Sequence, residues 1–229
     1  MILEVPGDSD AVAGRAAAII AQAARDAVAL RERFVVAVSG GRTPWMMLRA
    51  LASEQVPWPS VHVLQVDERI APAEDPGRNL MHLRASLLDS VPLAAGQIYA
   101  MPVESPDLPS AAAAYAATLE RIAGSPPVLD LVHLGLGLDG HTASLVPHDP
   151  VLDVRDRDVA ITGPYQGRQR MTLTYSVINR ARQILWVVTG EEKASILRRL
   201  LAGDTSIPAG RVAREHARVI ADEAAAGRQ

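Results

Sequence analysis

One stretch of the sequence, residues 130–147, carries side chains that can do acid–base chemistry. Asp139 and His141 stand two positions apart in it, and the hydroxyl residues Thr142 and Ser144 follow. An imidazole with an unperturbed pKa near ~6.5 is the natural proton acceptor at neutral pH. A neighbouring carboxylate can orient the loop and stabilise the imidazole once it is charged. We therefore predict that His141 is a catalytic base and that Asp139 supports it.

This stretch starts as a strand and ends as a glycine-rich loop. Residues 129–134 form a mainly apolar run, which is typical of a buried strand. At Gly135, Gly137 and Gly140, which come next, the backbone can turn sharply and approach a ligand closely. Ligands of an open α/β sheet bind beyond the carboxyl ends of the strands. The pattern therefore predicts that His141 lies at the ligand-binding edge of a sheet.

The glycines also match the dinucleotide-binding pattern G-x-G-x-x-G over residues 135–140. A dinucleotide fold needs a full crossover helix after the third glycine, but Pro147 and Pro150 interrupt the chain there. The pattern also lies in the middle of the chain rather than in an opening βαβ unit. We interpret it as a turn beside the base and predict no cofactor.

A second glycine-containing loop, Ser-Gly-Gly-Arg-Thr-Pro at residues 39–44, lies between a predicted strand and a predicted helix. Free backbone N–H groups and the positive end of the helix favour an anion there. It is not a P-loop, because the G-K-[ST] ending is missing. An ordinary strand-to-helix turn is the alternative, but the composition favours phosphate. The residues predicted to bind it are Ser39, Gly40, Gly41, Arg42 and Thr43.

Three charged residues, Asp67, Glu68 and Arg69, directly follow the predicted strand at residues 61–66. Arg69 can hold a carboxylate or phosphate in a bidentate manner, and either acidic residue can orient it. The alternative is a strand end closed by a salt bridge. We predict that Arg69 contacts the substrate.

Two further cations, Arg170 and Lys193, are predicted near the amino ends of a strand and a helix. Each is more often a solvated charge when considered alone. Both can reach a phosphate if their elements converge on one site.

The other five histidines are interpreted as structural. His148 lies close to His141, but no third ligand has a spacing that suits a metal, so we predict no metal site. His62 and His133 are expected in strands, and His82 and His216 on helices.

The composition excludes several classes of function. The chain has 229 residues, of which 48% are hydrophobic and only 3% aromatic, so Ala, Leu, Val and Ile must build the core. The net charge of −3 indicates neither a nucleic-acid partner nor a membrane surface. No cysteine is present, which rules out disulfides, thiolate catalysis and Cys-based zinc sites. Without a signal peptide or a run of membrane-spanning length, we expect a cytoplasmic protein with no obligate protein partner.

Strands alternate with helices of crossover length along the chain. We therefore predict an α/β fold with a mostly parallel central sheet, helices on both faces and a Rossmann-like arrangement, in one domain over residues 1–229. A short terminal element is expected at the end. The predicted strands are 2–5, 34–38, 61–66, 98–101, 129–134, 159–162, 170–174 and 183–188, and the predicted helices are 11–33, 45–53, 78–90, 108–123, 176–181 and 191–201.

The sequence resembles the 6-phosphogluconolactonase family over nearly its whole length. The most specific match is Gly-Leu-Gly-Leu-Asp-Gly-His-Thr-Ala-Ser-Leu-Val-Pro at residues 135–147. Val146 in it replaces a Phe that is usual in the family. Asn79 also fits, since the family places an Asn shortly after an Asp-Glu-Arg turn. The supporting matches are residues 39–44, 67–69, 170–174 and Lys193.

The resemblance implies hydrolysis of 6-phospho-D-glucono-1,5-lactone, the second step of the oxidative pentose phosphate pathway. His141 would then activate water, Asp139 would support it, and Arg69 would hold the substrate and offset negative charge. No metal or cofactor is implied, because a lactone is an activated ester. The expected substrate and phosphate ligands are Ser39, Gly40, Gly41, Arg42, Thr43, Asp67, Asn79, Arg170 and Lys193.

Two other functions stay open. Glucosamine-6-phosphate isomerases and deaminases of the same superfamily resemble the pattern, but they carry a Glu where Val146 stands, and the Val therefore favours the lactonase. A non-catalytic sugar-phosphate sensor is the second alternative. It predicts a DNA-binding segment, which the sequence does not show, and it leaves His141 without a task.

Overall fold

Seven parallel strands form the central sheet of the computed structural model, which describes residues 1–227. Their spatial order is β1-β10-β9-β6-β2-β3-β5, and every neighbouring pair is parallel. The predicted mostly parallel α/β sheet is thus confirmed. The strands are β1 (Ile2–Glu4), β2 (Phe34–Val38), β3 (Val61–Gln65), β5 (Ile98–Tyr99), β6 (Leu131–Leu134), β9 (Ile184–Val188) and β10 (Ala217–Ala221).

Helices cover both faces of this sheet. Apolar residues of α1, α2 and α3 form one buried layer, and those of α4, α5 and α6 form the other. The central strands β2 and β9 are apolar throughout, and all five residues of each are buried between the two layers. The helices are α1 (Ser9–Arg31), α2 (Arg42–Ala52), α3 (Asn79–Ser86), α4 (Leu108–Ala123), α5 (Tyr175–Arg180), α6 (Ala194–Ala202) and the terminal α7 (Glu223–Ala226).

A second, antiparallel sheet stands beside the first. It contains β4 (Asp67–Arg69), β8 (Arg170–Leu173) and β7 (Val159–Ile161) in the order β4-β8-β7. The N–H of Val66 still donates to Val38 of the central sheet, but its carbonyl accepts from Leu173, so the chain changes sheets there. The Asp-Glu-Arg segment is therefore a strand rather than a turn, and the two predicted strands at 159–162 and 170–174 do not join the central sheet.

The end of the chain contains a strand that we did not predict. β10 is inserted between β1 and β9, and four of its five residues are buried. The prediction of a helix at His216 was wrong, because that residue immediately precedes β10. The predicted domain boundary of 1–229 stays a prediction, since residues 228 and 229 lie outside the described part of the chain.

The order of the strands determines where a ligand can bind. From β2 the chain proceeds to β3 on one side, whereas from β6 it proceeds to β9 on the other. The loops after these two adjacent strands therefore separate and leave a crevice at the carboxyl edge. Within residues 1–227, no helix is long and apolar enough to cross a membrane. The cytoplasmic location stays a prediction.

Candidate active site

A cavity of about 710 Å³ opens at this crevice. It lies beyond the carboxyl ends of β2, β3, β6, β9 and β10, where the sequence placed the chemistry. Eleven of the twelve predicted site residues line it. The twelfth, Asp139, contacts the imidazole ring of His141. The lining residues from the predicted set are Ser39, Gly40, Gly41, Arg42, Thr43, Asp67, Arg69, Asn79, His141, Arg170 and Lys193.

His141 and Asp139 form the pair that the spacing suggested. Nδ1 of His141 lies 2.6 Å from Oδ1 of Asp139, and the backbone N–H of His141 donates to the same oxygen at 3.1 Å. A carboxylate at Nδ1 favours the tautomer that carries its proton there, so Nε2 keeps a free lone pair. Burial raises the pKa of Asp139, but the hydrogen bonds and charge of His141 outweigh this effect, and the pKa lies below its usual value.

Gly137 makes room for the His141 ring. A Cβ atom on residue 137 would lie only 2.0 Å from Nδ1 of His141. By contrast, a Cβ on Gly135 would have no atom within 4 Å. The second glycine of the G-x-G pattern thus serves the imidazole here, which explains the pattern without a dinucleotide.

The sequence did not indicate Tyr165 as part of the site. Its hydroxyl donates to Oδ2 of Asp139 at 2.9 Å and lies 3.4 Å from Nδ1 of His141. The rings of Tyr165 and His141 meet edge to face, with centroids 5.4 Å apart. The guanidinium carbon of Arg170 lies 4.9 Å from the centroid of the tyrosine ring.

The loop at residues 39–43 leads into the amino end of α2, which no side chain caps. Free N–H groups of the first turn therefore remain for an anion. Two hydrogen bonds tie the loop to β6. The Ser39 hydroxyl donates to the carbonyl of His133 at 3.0 Å, and the Ser39 N–H donates to Nδ1 of the same histidine at 3.3 Å. His133 is fully buried, and burial lowers its pKa to about 3.

Arg69 is held through Asn79. Its Nη1 donates to the carbonyl of Gly77 at 2.8 Å and to Oδ1 of Asn79 at 2.5 Å. Nδ2 of Asn79 in turn donates to the carbonyl of Asp67 at 3.0 Å. The carboxylate of Asp67 accepts from the hydroxyl of Ser144 at 2.6 Å, which ties this wall to the histidine loop.

Glu68, rather than Asp67, is the carboxylate that organises this region. It is fully buried and accepts the backbone N–H groups of Asn79 and Leu80 at 2.7 and 2.8 Å, so it caps α3 from a different element. It also accepts the N–H of Arg69 at 2.8 Å and lies 3.3 Å from Nε of Arg78. Glu68 was one of two carboxylates that we expected to orient Arg69, and it contacts the backbone of that residue instead of its guanidinium.

Arg170 and Lys193 both line the cavity, as the convergence hypothesis required. Arg170 pairs with Arg69 in the β4–β8 register, and its buried Nε has no hydrogen-bond partner within residues 1–227. Burial lowers the pKa of Arg170 and that of Lys193. Nζ of Lys193 donates to the carbonyl of Leu136 at 2.8 Å, and this residue is the sole lysine of the sequence. Partly desolvated cations of this kind favour an anionic ligand.

The described residues contain no group of three or more His, Asp or Glu side chains that could hold a metal ion. His148 lies in an exposed turn with a φ of 65°, and Asp149 caps the short 3₁₀ helix that follows. The site is therefore one imidazole–carboxylate pair facing several cations and an open helix end.

Comparison with known proteins gives one consistent result. Residues 7–221 match the family described as glucosamine-6-phosphate isomerases/6-phosphogluconolactonase. The 6-phosphogluconolactonase of Nostoc sp. is 36% identical over 204 residues, covering 87% of this chain and 85% of that protein. The 6-phosphogluconolactonase of Mycobacterium tuberculosis is 34% identical over 240 residues, covering 99% and 97%.

Solved structures agree with these relatives. The 6-phosphogluconolactonase of Thermotoga maritima superposes with a TM-score of 0.84 at 26% identity, covering 96% of this chain and 98% of that one. The enzyme of the same name from Trypanosoma cruzi gives 0.87 at 26% identity and covers 99% and 96%. A monomeric glucosamine-6-phosphate deaminase gives 0.86 at 17% identity, which shows a common fold only.

Proposed function

The chain belongs to the glucosamine-6-phosphate isomerase/6-phosphogluconolactonase family, and we propose that it hydrolyses 6-phospho-D-glucono-1,5-lactone to 6-phospho-D-gluconate with His141 as the base. The observation that carries this proposal is the 2.6 Å contact between His141 Nδ1 and Asp139 at the wall of a cavity rich in cations. The relatives named 6-phosphogluconolactonase at 34–39% identity support the same substrate.

Water is the nucleophile in this mechanism. Nε2 of His141 removes a proton as the water oxygen bonds to the lactone carbonyl carbon, and the carbonyl oxygen becomes an oxyanion. The tetrahedral intermediate then collapses and breaks the bond to the ring oxygen. The imidazolium returns the proton to that oxygen, which leaves as a hydroxyl, and the acid product ionises in water.

Asp139 keeps the proton of the resting imidazole on Nδ1 and stabilises the charged ring that forms during attack. Arg69 and Arg170 occupy paired positions on neighbouring strands, so both cations can face the same negative charge. Preorganised cations stabilise an oxyanion strongly, because they need not reorient as charge develops.

The far end of the substrate carries the phosphate group. We infer that it binds the open N–H groups at the start of α2, the side chains of Arg42 and Thr43, and the ammonium of Lys193. Holding the phosphate there fixes the lactone against His141, and such positioning lowers the barrier without adding a chemical group. No metal or covalent nucleophile is required in these steps.

The test is a hydrolysis assay with freshly prepared lactone, corrected for spontaneous opening of the ring. Acid release above the spontaneous rate supports the proposal. The family also contains isomerases, so glucosamine 6-phosphate should be assayed in parallel for ammonia and fructose 6-phosphate. Val146 is buried and offers no carboxylate for that chemistry. Ammonia release without lactone hydrolysis would overturn the proposal.

A further inference from the structure

Tyr165 lies at the tip of a hairpin that the sequence analysis did not connect with the site. The two residues that follow it, Gln166 and Gly167, have φ angles of 52° and 78°. Two consecutive positive φ angles are typical of a type I′ turn, which closes a hairpin tightly. The backbone of Tyr165 exchanges two hydrogen bonds with Arg168, at 2.9 and 3.2 Å. The position of the phenol is therefore set by a rigid turn.

The hairpin tip is also anchored from outside. Arg168 forms a 2.8 Å ion pair with Asp75, in the loop that precedes α3. The same loop supplies the carbonyl of Gly77 that Arg69 contacts. Tyr165 is thus held between the loop that fixes Arg69 and the loop that carries His141.

The hydroxyl and the ring of Tyr165 contact two different residues of the site. Its hydroxyl donates to Oδ2 of Asp139, while Oδ1 of the same carboxylate serves His141. Its ring lies against the guanidinium of Arg170 at 4.9 Å, a distance at which cation and π face attract. One side chain therefore contacts both the support of the base and a cation of the substrate wall.

We propose that Tyr165 is a positioning residue for lactone hydrolysis: its hydroxyl fixes the orientation and charge of Asp139, and its ring seats Arg170. With both carboxylate oxygens occupied, Asp139 cannot rotate away from His141. This inference rests on the proposed function, because it assigns Tyr165 to the machinery of that reaction.

Removal of the hydroxyl has a predictable sign. The hydrogen bond from Tyr165 is one of the contacts that lower the pKa of Asp139. Without it the carboxylate is more basic, and the Asp139–His141 pair takes up a proton at higher pH. The acid limb of kcat/KM should therefore move to higher pH.

The chain offers a matched control for this substitution. The hydroxyl of Tyr99 lies 3.0 Å from Nδ1 of His62, and the guanidinium of Arg121 lies 5.7 Å from its ring centroid. Tyr99 thus contacts a histidine and an arginine, as Tyr165 does, but it stands on the edge strand β5, away from the cavity.

The experiment compares the parent with Tyr165→Phe, Tyr165→Ala and Tyr99→Phe between pH 5 and 7.5. For Tyr165→Phe we expect kcat to fall about 2–10-fold with little change in KM. The midpoint of the acid limb of kcat/KM should move to higher pH by up to about one unit. Tyr165→Ala should also raise KM, because the guanidinium of Arg170 loses its contact with the aromatic ring. Tyr99→Phe should match the parent.

A profile of Tyr165→Phe that superimposes on the parent's, or moves to lower pH, overturns the inference while the lactonase activity of the parent stands. If the parent does not hydrolyse the lactone, the proposed function fails on its own. The ring ¹⁵N signals of His141, followed against pH in the parent and in Tyr165→Phe, then decide whether the hydroxyl controls the pair. A higher midpoint in the variant supports the inference, and equal midpoints overturn it.

Discussion

Nδ1 of His141 lies so close to Gly137 that a side chain on residue 137 would displace the imidazole ring. An ideal Cβ on residue 137 would stand 2.0 Å from that nitrogen, which is far inside van der Waals contact. The position of the imidazole therefore depends on a glycine four residues earlier in the chain as well as on Asp139.

Gly137→Ala should abolish most of the activity with little loss of fold. The added methyl group would overlap Nδ1 of His141, which is the nitrogen that contacts Asp139. It must therefore push the ring away from that carboxylate. We expect kcat/KM to fall by about 10²-fold or more, close to the loss of the base itself. The measurement is lactone hydrolysis together with a thermal unfolding curve.

Gly135→Ala is the matched control, since a Cβ there meets nothing within 4 Å and the residue also lines the cavity. It should retain activity within about threefold of the parent. Equal behaviour of the two variants would show that the close approach at Gly137 does not position the base.

Lys193 should contribute to binding more than to turnover. Its ammonium loses hydration in the cavity, and an anionic phosphate restores its favourable interactions. Lys193→Met should raise KM by about 10–100-fold, while kcat changes less. A larger effect on kcat than on KM would contradict a role in holding the phosphate.

Because Lys193 is the sole lysine of the sequence, its ligand can be detected without measuring turnover. Reductive ¹³C-methylation keeps the charge and labels the lysine and the α-amine of the chain. We expect 6-phosphogluconate and inorganic phosphate to shift the lysine signal in a saturable way and to leave the α-amine signal unchanged. A lysine signal that does not respond to either anion would remove Lys193 from the phosphate site.

Glu68→Gln should destabilise the fold and weaken substrate binding together. The buried carboxylate accepts backbone N–H groups from both β4 and α3. In Gln an NH₂ group replaces one of the two oxygens, so its N–H groups would face backbone N–H donors instead of accepting from them. We expect a loss of about 2–4 kcal/mol in the free energy of unfolding, measured in urea.

Glu104→Gln is the control for Glu68→Gln, because Glu104 pairs with the same arginine, Arg78, from the exposed side. Its loss should cost no more than about 1 kcal/mol. If both variants lose equal stability, Glu68 does not have the organising role that its contacts indicate.

His133 predicts a specific dependence of stability on pH. Its pKa is about 3 in the folded chain and near ~6.5 when unfolded. As pH falls below ~6.5, the unfolded chain binds a proton that the folded chain does not, so this group favours unfolding increasingly down to about pH 3. The contribution is fully favourable to folding only above the unfolded value.

The variant His133→Asn keeps an acceptor near Nδ1 but does not titrate. Between pH 6 and pH 4 the parent should lose about 2 kcal/mol more unfolding free energy than this variant. His148→Asn, at an exposed turn, should retain the slope of the parent. Parallel curves for the parent and His133→Asn would show that His133 does not remain neutral in the fold.

The sequence predicted the fold well where the pattern is local and uniform. β2 and α4 were predicted with their observed limits, because one is a continuous apolar run and the other an Ala-rich segment closed by Gly124. β10 was missed, because Arg218 and the polar residues before it conceal a strand whose identity depends on its neighbours β1 and β9.

The loops at residues 39–43 and 135–141 follow strands β2 and β6, where position along the chain predicts position in space. Tyr165 and Glu68 show where this logic stops. Tyr165 lies 26 residues from Asp139, and only the second sheet brings them together. A Gln-Gly pair between two predicted strands was the available signal for its hairpin. The function of Glu68 depends on N–H groups whose directions no sequence pattern reveals.

The most direct test of the account is the rate of lactone hydrolysis by His141→Ala beside the parent, with spontaneous opening subtracted. The phosphate response of the methylated Lys193 signal in both proteins shows whether the binding site persists. We predict that kcat/KM falls by about 10²–10⁴-fold while that response is retained. Hydrolysis by His141→Ala within about threefold of the parent's rate would contradict the role of His141 as the base.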